Sequence, residues 1–150
     1  MSEVADLLQR VIRLDTTNPP GNETRAAELL RDYLEAAGVE CNLYARVPER
    51  ANLVARIPGR GSGPSLSHTD VVLAAADEWE RDPFGGELVG DEIWGRGALD
   101  MKGEVAASAV ALATLAREGW RGDGDLIFIA AGVRTFSTNF ASETGVPAFH

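Results

Sequence analysis

The sequence predicts an α/β layered fold, a mixed and mostly parallel sheet flanked by helices. Three features predict it. Two early segments carry apolar residues at helical spacing, the next alternates apolar and polar residues, and Leu126-Ile127-Phe128-Ile129-Ala130-Ala131 is an unbroken apolar run. Helices alternating with strands, one of them apolar throughout and so covered on both faces, form helix layers on a sheet. At 150 residues with 45% apolar content, the chain suits a single domain. Such a domain buries roughly 70% of its unfolded surface, which excludes a disordered tail.

Charge narrows the function classes. The chain has 14 basic and 23 acidic side chains, a net charge of -9, whereas a nucleic-acid partner calls for a basic stripe. No stretch reaches the ~18 apolar residues of a membrane span, and the acidic start Met1-Ser2-Glu3 is not a secretory signal. A soluble, cytoplasmic chain with no membrane partner is expected. Cys41 is alone, which excludes an internal disulfide. Every basic residue but one is Arg, and the exception is Lys102.

Element by element, Val4, Leu7, Leu8, Val11, Ile12 and Leu14 mark a first helix with Ser2 as its N-cap. Residues 15–22, with two prolines and a glycine, read as a loop. A second helix is expected over 23–37, with Leu29, Leu30, Tyr33 and Leu34 inward and Gly38 as a left-handed C-terminal cap. Val39, Cys41, Leu43, Ala45 and Val47 alternate with polar partners, a strand with one buried face. Residues 52–57 read as a neighbouring strand, antiparallel pairing being one option, and 58–64 as a turn or loop. Residues 77–97 lack a period and read as a long structured loop with room for a short hairpin. Residues 103–118 read as a buried helix stopping at Gly119, and 126–131 as the fully covered strand. A boundary is placed near Gly132, separating a 1–131 unit from a tail without period, 132–150.

Two clusters could do chemistry. His68 and Asp70 stand two apart at the end of a strand, where i and i+2 face the same side. Open α/β sheets bind ligands beyond the carboxyl ends of their strands. The pair reads either as a hydrogen-bonded couple or as an imidazole metal ligand oriented by a carboxylate. Asp100, just before the 103–118 helix, reads either as a helix cap or as a carboxylate able to bridge two metal ions. Lys102 is a solvated side chain or a charge that lowers the pKa of Asp100 if the two lie close. Trp79, Phe84 and Trp94 read mainly as packing for the long loop, with a substrate-facing role as the lesser option.

The stretches Ser67-His68-Thr69-Asp70-Val71-Val72, Trp79-Glu80-Arg81-Asp82-Pro83-Phe84 and Trp94-Gly95-Arg96-Gly97-Ala98-Leu99-Asp100-Met101-Lys102-Gly103 occur in that order. Together they resemble the zinc-dependent hydrolases that include aminoacylase, acetylornithine deacetylase, succinyl-diaminopimelate desuccinylase and glutamate carboxypeptidase. Thr17-Asn18-Pro19-Pro20-Gly21 resembles the same family's N-terminal loop. The resemblance covers residues 4–131 and implies the N-terminal part of a zinc aminopeptidase-like catalytic domain. By the same resemblance His68 is a ligand of one zinc, Asp100 bridges two, and Asp70 is the catalytic aspartate. The implied cofactor is zinc, with cobalt or manganese as alternatives. The implied substrates are N-acyl amino acids or small peptides. Family members are homodimers through an inserted domain that this chain lacks.

The sequence departs from that pattern in two places. The family sets paired acids, a general base and a zinc ligand, directly after the apolar strand; here Gly132-Val133-Arg134-Thr135-Phe136-Ser137-Thr138 has none, and Glu143 is the tail's one acid. His150 is the only other histidine, and nothing assigns it a ligand role. Before His68 only Pro64-Ser65-Leu66 remain for a strand that normally needs five or six residues. An unpaired sheet edge is therefore expected near 126–131. Two ligands fall short of the three a catalytic zinc needs, so these residues alone are expected to be inactive. A non-catalytic remnant with weak or no metal binding is the rival reading. A phosphate-loop reading of Gly59-Arg60-Gly61-Ser62-Gly63 is weak because Pro64 follows where a Lys should open a helix.

Overall fold

The computed structural model describes residues 2–59, 62–68 and 76–132, with the backbone alone described for 62–68 and 76. The tail beyond Gly132, with Glu143 and His150, and Asp70 lie outside the described residues. Helix α1 spans Glu3–Ile12, and the Ser2 hydroxyl accepts the Ala5 N–H at 3.2 Å, as the cap reading requires. Helix α2 spans Glu23–Glu35, with Leu30 and Leu34 buried and Leu29 and Tyr33 half-buried against the same core. Gly38 ends it at φ +82, where Val39 N–H reaches Leu34 O at 3.1 Å and Gly38 N–H reaches Glu35 O at 2.9 Å. That paired closure needs a left-handed residue, which glycine adopts without steric cost.

Strand β1, Glu40–Tyr44, is shorter than its alternation suggested: Ala45 and Val47 are exposed. The physical reason is a competing attachment. Asn52 Nδ2 donates to Tyr44 O at 3.2 Å, and the following residues turn onto α2, where Thr24 Oγ1 donates to Pro48 O at 2.7 Å and accepts the Ala51 N–H at 2.8 Å. Strand β2, Asn52–Ile57, pairs antiparallel with β1, Tyr44 opposite Asn52 and Glu40 opposite Arg56.

Strand β3 is Ser62–His68, seven residues long, so the expected shortage before His68 is not found. It recruits Gly63 and Pro64 because β6, Asp125–Ala131, supplies a parallel ladder along its whole length, from Ser62 opposite Asp125 to His68 opposite Ala131. Among the described strands the sheet order is β1-β2-β6-β3. β3 therefore stands at the end of that order, where a proline with no N–H to donate is tolerated. The same order corrects the expected unpaired edge: β6 is interior, paired by β2 on one side and β3 on the other. The parallel share is also smaller than expected, with one parallel ladder beside two antiparallel ones.

Alternation along β2 and β6 builds two apolar layers. Leu53 opposite Ala130 and Ala55 opposite Phe128 face the helices, whereas Val54 opposite Ile129, with Ile127, faces the other side. Burial of β6 on both faces is thus as its composition indicated. Helix α3, Gly103–Arg117, buries Val105, Ala106, Ala109, Leu112 and Ala113 against the sheet layer. It is not buried all round: Glu104, Ala107, Ala111 and Thr114 are exposed, so small residues line its outer face. At one end of the helix layer, Arg117 pairs with Glu3 at 2.8 Å, and Tyr33 O–H donates to Glu3 Oε1 at 2.7 Å. The long loop contains the hairpin for which its sequence left room, β4 Glu87–Val89 against β5 Glu92–Trp94.

Candidate functional site

His68 is the last residue of β3, directly beside Ala131 at the carboxyl end of β6. The parallel pairing puts both chain ends at one edge of the sheet, where ligands collect in open α/β folds. The other candidate, Asp100, sits in the turn Ala98–Lys102 that leads into α3. That turn and β3 are neighbours, with Cα atoms approaching within 8 Å. The structure therefore brings the two bearing elements together. Asp70 falls outside the described residues, so its relation to His68 is a matter for the proposal below.

Glycines shape the turn. A Cβ on Gly95 would lie 2.4 Å from Ile12 Cγ2, so only glycine lets this strand end lie against α1. Gly97 holds φ +83, a left-handed conformation, and its carbonyl accepts the Lys102 N–H at 2.8 Å. Inside the turn Asp100 is extended, φ -124 and ψ 96, and its side chain is exposed. The capping role is not what the structure gives Asp100: the N-cap position of α3 is Lys102, and no side chain caps the helix.

Lys102 departs most from its sequence reading. It is fully buried rather than solvated, and its Nζ donates to Leu14 O at 2.9 Å, just past the end of α1. Burial pulls its pKa down to about 8, opposed by the nearby Asp15 carboxylate.

A second buried polar group closes the end of β6. Gly132 N–H donates to Asn52 Oδ1 at 2.9 Å, and Arg50 Nη2 donates to Gly132 O at 3.0 Å. Arg50 in turn pairs with Glu23 at 3.1 Å, and the Glu23 side chain is 0% exposed. These residues, three separate points in the sequence, hold the chain one residue beyond the position opposite His68. Sequence reasoning missed all of them; Glu23 was only a helix start, and Arg50 and Asn52 bordered a strand. The one available signal was Gly21, whose missing Cβ leaves room for the Glu23 carboxylate, 2.7 Å from where that atom would be.

On the far side of the turn, Trp79, Ile93, Trp94, Ala98 and Leu99 line an open groove of about 680 Å³. Arg96 stacks over Trp79 at 4.8 Å and Arg81 over Trp94 at 5.7 Å. The tryptophans therefore both pack the loop and face the groove. The donor types at the site, imidazole and carboxylate, suit a divalent cation. Among the described residues no group of three or more His, Cys, Asp or Glu gathers.

Residues 66–132 match the family model described as Peptidase family M20/M25/M40. The chain is 43% identical over 138 residues to a succinyl-diaminopimelate desuccinylase of Methylobacterium nodulans, covering 84% of this chain and 33% of that protein. It is 41% identical over 115 residues to the desuccinylase of Dinoroseobacter shibae, covering 74% and 30%. The chain thus spans about a third of the length of the curated relatives it matches. Among solved structures, an M20 family metallo-carboxypeptidase of Sulfolobus solfataricus superposes with a TM-score of 0.76 at 24% identity, over 88% of this chain and 31% of that one. Human carnosine dipeptidase 1 gives 0.69 at 23% identity, over 94% and 34%. At those identities the structures speak for the fold alone. No described helix is long and apolar enough to cross a membrane.

Proposed function

We propose that this chain, whose residues 66–132 match the model of peptidase family M20/M25/M40, carries the N-terminal, metal-ligating part of an amide hydrolase acting on N-acyl amino acids or small peptides. His68 would hold one divalent ion and Asp100 would bridge it to a second, with Asp70 orienting the imidazole of His68. The observation that carries this reading is the adjacency of β3, which ends at His68, and the Ala98–Lys102 turn, which bears Asp100. A pair of zinc ions there would supply Lewis acidity to a water and to the scissile carbonyl.

On this reading the contribution of these residues is to supply donors to the metal. Removing a proton from the attacking water requires a base within hydrogen-bond reach, and residues 132–142 contain no carboxylate. On this reading the 150 residues by themselves are expected not to turn over substrate. Purified chain should retain substoichiometric zinc and leave N-succinyl and N-acetyl amino acids intact. Turnover abolished by His68→Ala would overturn the inactivity. Zinc retention unchanged in both His68→Ala and Asp100→Ala would favour the rival, a non-catalytic remnant that binds no metal at this position.

A further inference from the structure

Asp100 poses a physical question. It is exposed and extended, and it neither lies in a helix nor caps one, yet a metal-bridging carboxylate needs a fixed position. Backbone bonds from Lys102 N–H to Gly97 O at 2.8 Å and from Ala98 N–H to Gly95 O at 3.1 Å close the turn on itself. They do not fix its depth against the rest of the domain. A side chain that does cross to another element is that of Lys102, whose ammonium reaches the Leu14 carbonyl, 88 residues away in sequence.

That arrangement is a poor choice for stability alone. Burying an ammonium costs free energy that an apolar side chain of similar volume would not. What the cation gains is direction. Leu14 O lies just past the C-terminal end of α1, Glu3–Ile12, where helix carbonyls favour positive charge. A donor that must meet that oxygen admits few depths and rotamers. Lys102 is also the one Lys in a chain where every other basic residue is Arg, and the two cations are not interchangeable in shape or donor geometry.

We propose that Lys102 is a positioning residue for Asp100: its buried ammonium, held on the Leu14 carbonyl, sets the depth and direction of the Ala98–Lys102 turn beside β3. The role of Asp100 as a metal ligand rests on the function proposed above; the anchoring of the turn does not. Met101 completes the anchor from the adjacent position, half-buried against the main core.

The test compares the full chain with Lys102→Met, which keeps the length of the stem and removes the donors. Amide exchange is read at Lys102 N–H and at core amides of α3 such as Ala109, and cobalt(II) affinity is read by absorbance. The expected result is exchange at the turn accelerated roughly tenfold or more with α3 unchanged, and cobalt binding weakened by about the same factor. Equal acceleration at Lys102 and Ala109, or no acceleration at the turn, would overturn the proposal by showing a role in general stability or none. A parent chain indifferent to cobalt would overturn the metal reading, while the exchange arm still decides the anchoring. Should Lys102→Met not fold, Lys102→Gln, which keeps a neutral donor, is read in the same two ways.

Discussion

The two sides of the sheet's carboxyl edge are held by different forces. On one side, α2, β2 and the end of β6 meet around Glu23, Arg50, Asn52 and Gly132, where Glu23 and Asn52 are buried and the bonds from Arg50 to Glu23, Arg50 to Gly132 and Gly132 to Asn52 cross between distant segments. On the other, the hairpin carries half-buried arginine–tryptophan stacks and an exposed Arg81–Glu87 pair, and the 98–102 turn presents Leu99 at 95% exposure while Lys102 alone reaches full burial. The first side is a scaffold whose removal should unfold the domain. The second, Lys102 apart, is surface that can change at little cost to stability. The candidate ligands lie where the two meet.

The largest effect should come from splitting the buried pair. Arg50→Ala leaves the Glu23 carboxylate, 0% exposed, without its cation, and should cost about 4 kcal/mol in urea unfolding. Arg81→Ala, which breaks a pair with side chains 38% and 45% exposed, should cost under about 1 kcal/mol. Equal costs would break the contrast. Next, Leu53→Ala in the core, at 0% exposure, should cost about 3 kcal/mol, against about 0.5 kcal/mol or less for Leu99→Ala.

Two titrations sharpen the picture further. Burial, aided by the Glu35 carboxylate, pushes the Cys41 thiol up to about 12. Because the folded chain holds the proton more tightly than the unfolded one, stability should fall as pH rises from about 9 towards 12. At pH 8, alkylation of Cys41 should be roughly a thousandfold slower in the folded chain than in denaturant. The smallest effect should be at Asp125. The Gly59 N–H and then the Arg56 guanidinium hold its carboxyl below its usual range. Its contribution is present at neutral pH and lost as pH falls through that lowered value, so Asp125→Asn should flatten the acid limb of the stability curve.

The scaffold was largely legible and the site only partly, for physical reasons. Amphipathic periodicity exposed α1, α2 and β1, because one buried face per element leaves a regular apolar trace, and an unbroken apolar run exposed β6. β3 left no such trace: Ser62, Gly63, Pro64 and Ser65 become strand only because β6 offers them a ladder. The knot around Gly132 was invisible because polar residues far apart in sequence carry no period, and the same holds for Lys102 meeting Leu14. His68 and Asp100 were found by the wording of their motifs. Their spacing alone left each with an ordinary alternative, and for Asp100 the structure removes the helix cap.

The central claim is that His68 and Asp100 share one cation. A divalent-ion titration of labelled full-length chain, following the His68 ring and the Asp100 carboxylate by NMR, tests it most directly. Both signals should respond with one midpoint, and His68→Ala or Asp100→Ala should each abolish the response of the other residue. Independent midpoints, or one signal moving while the other stays still, would contradict it.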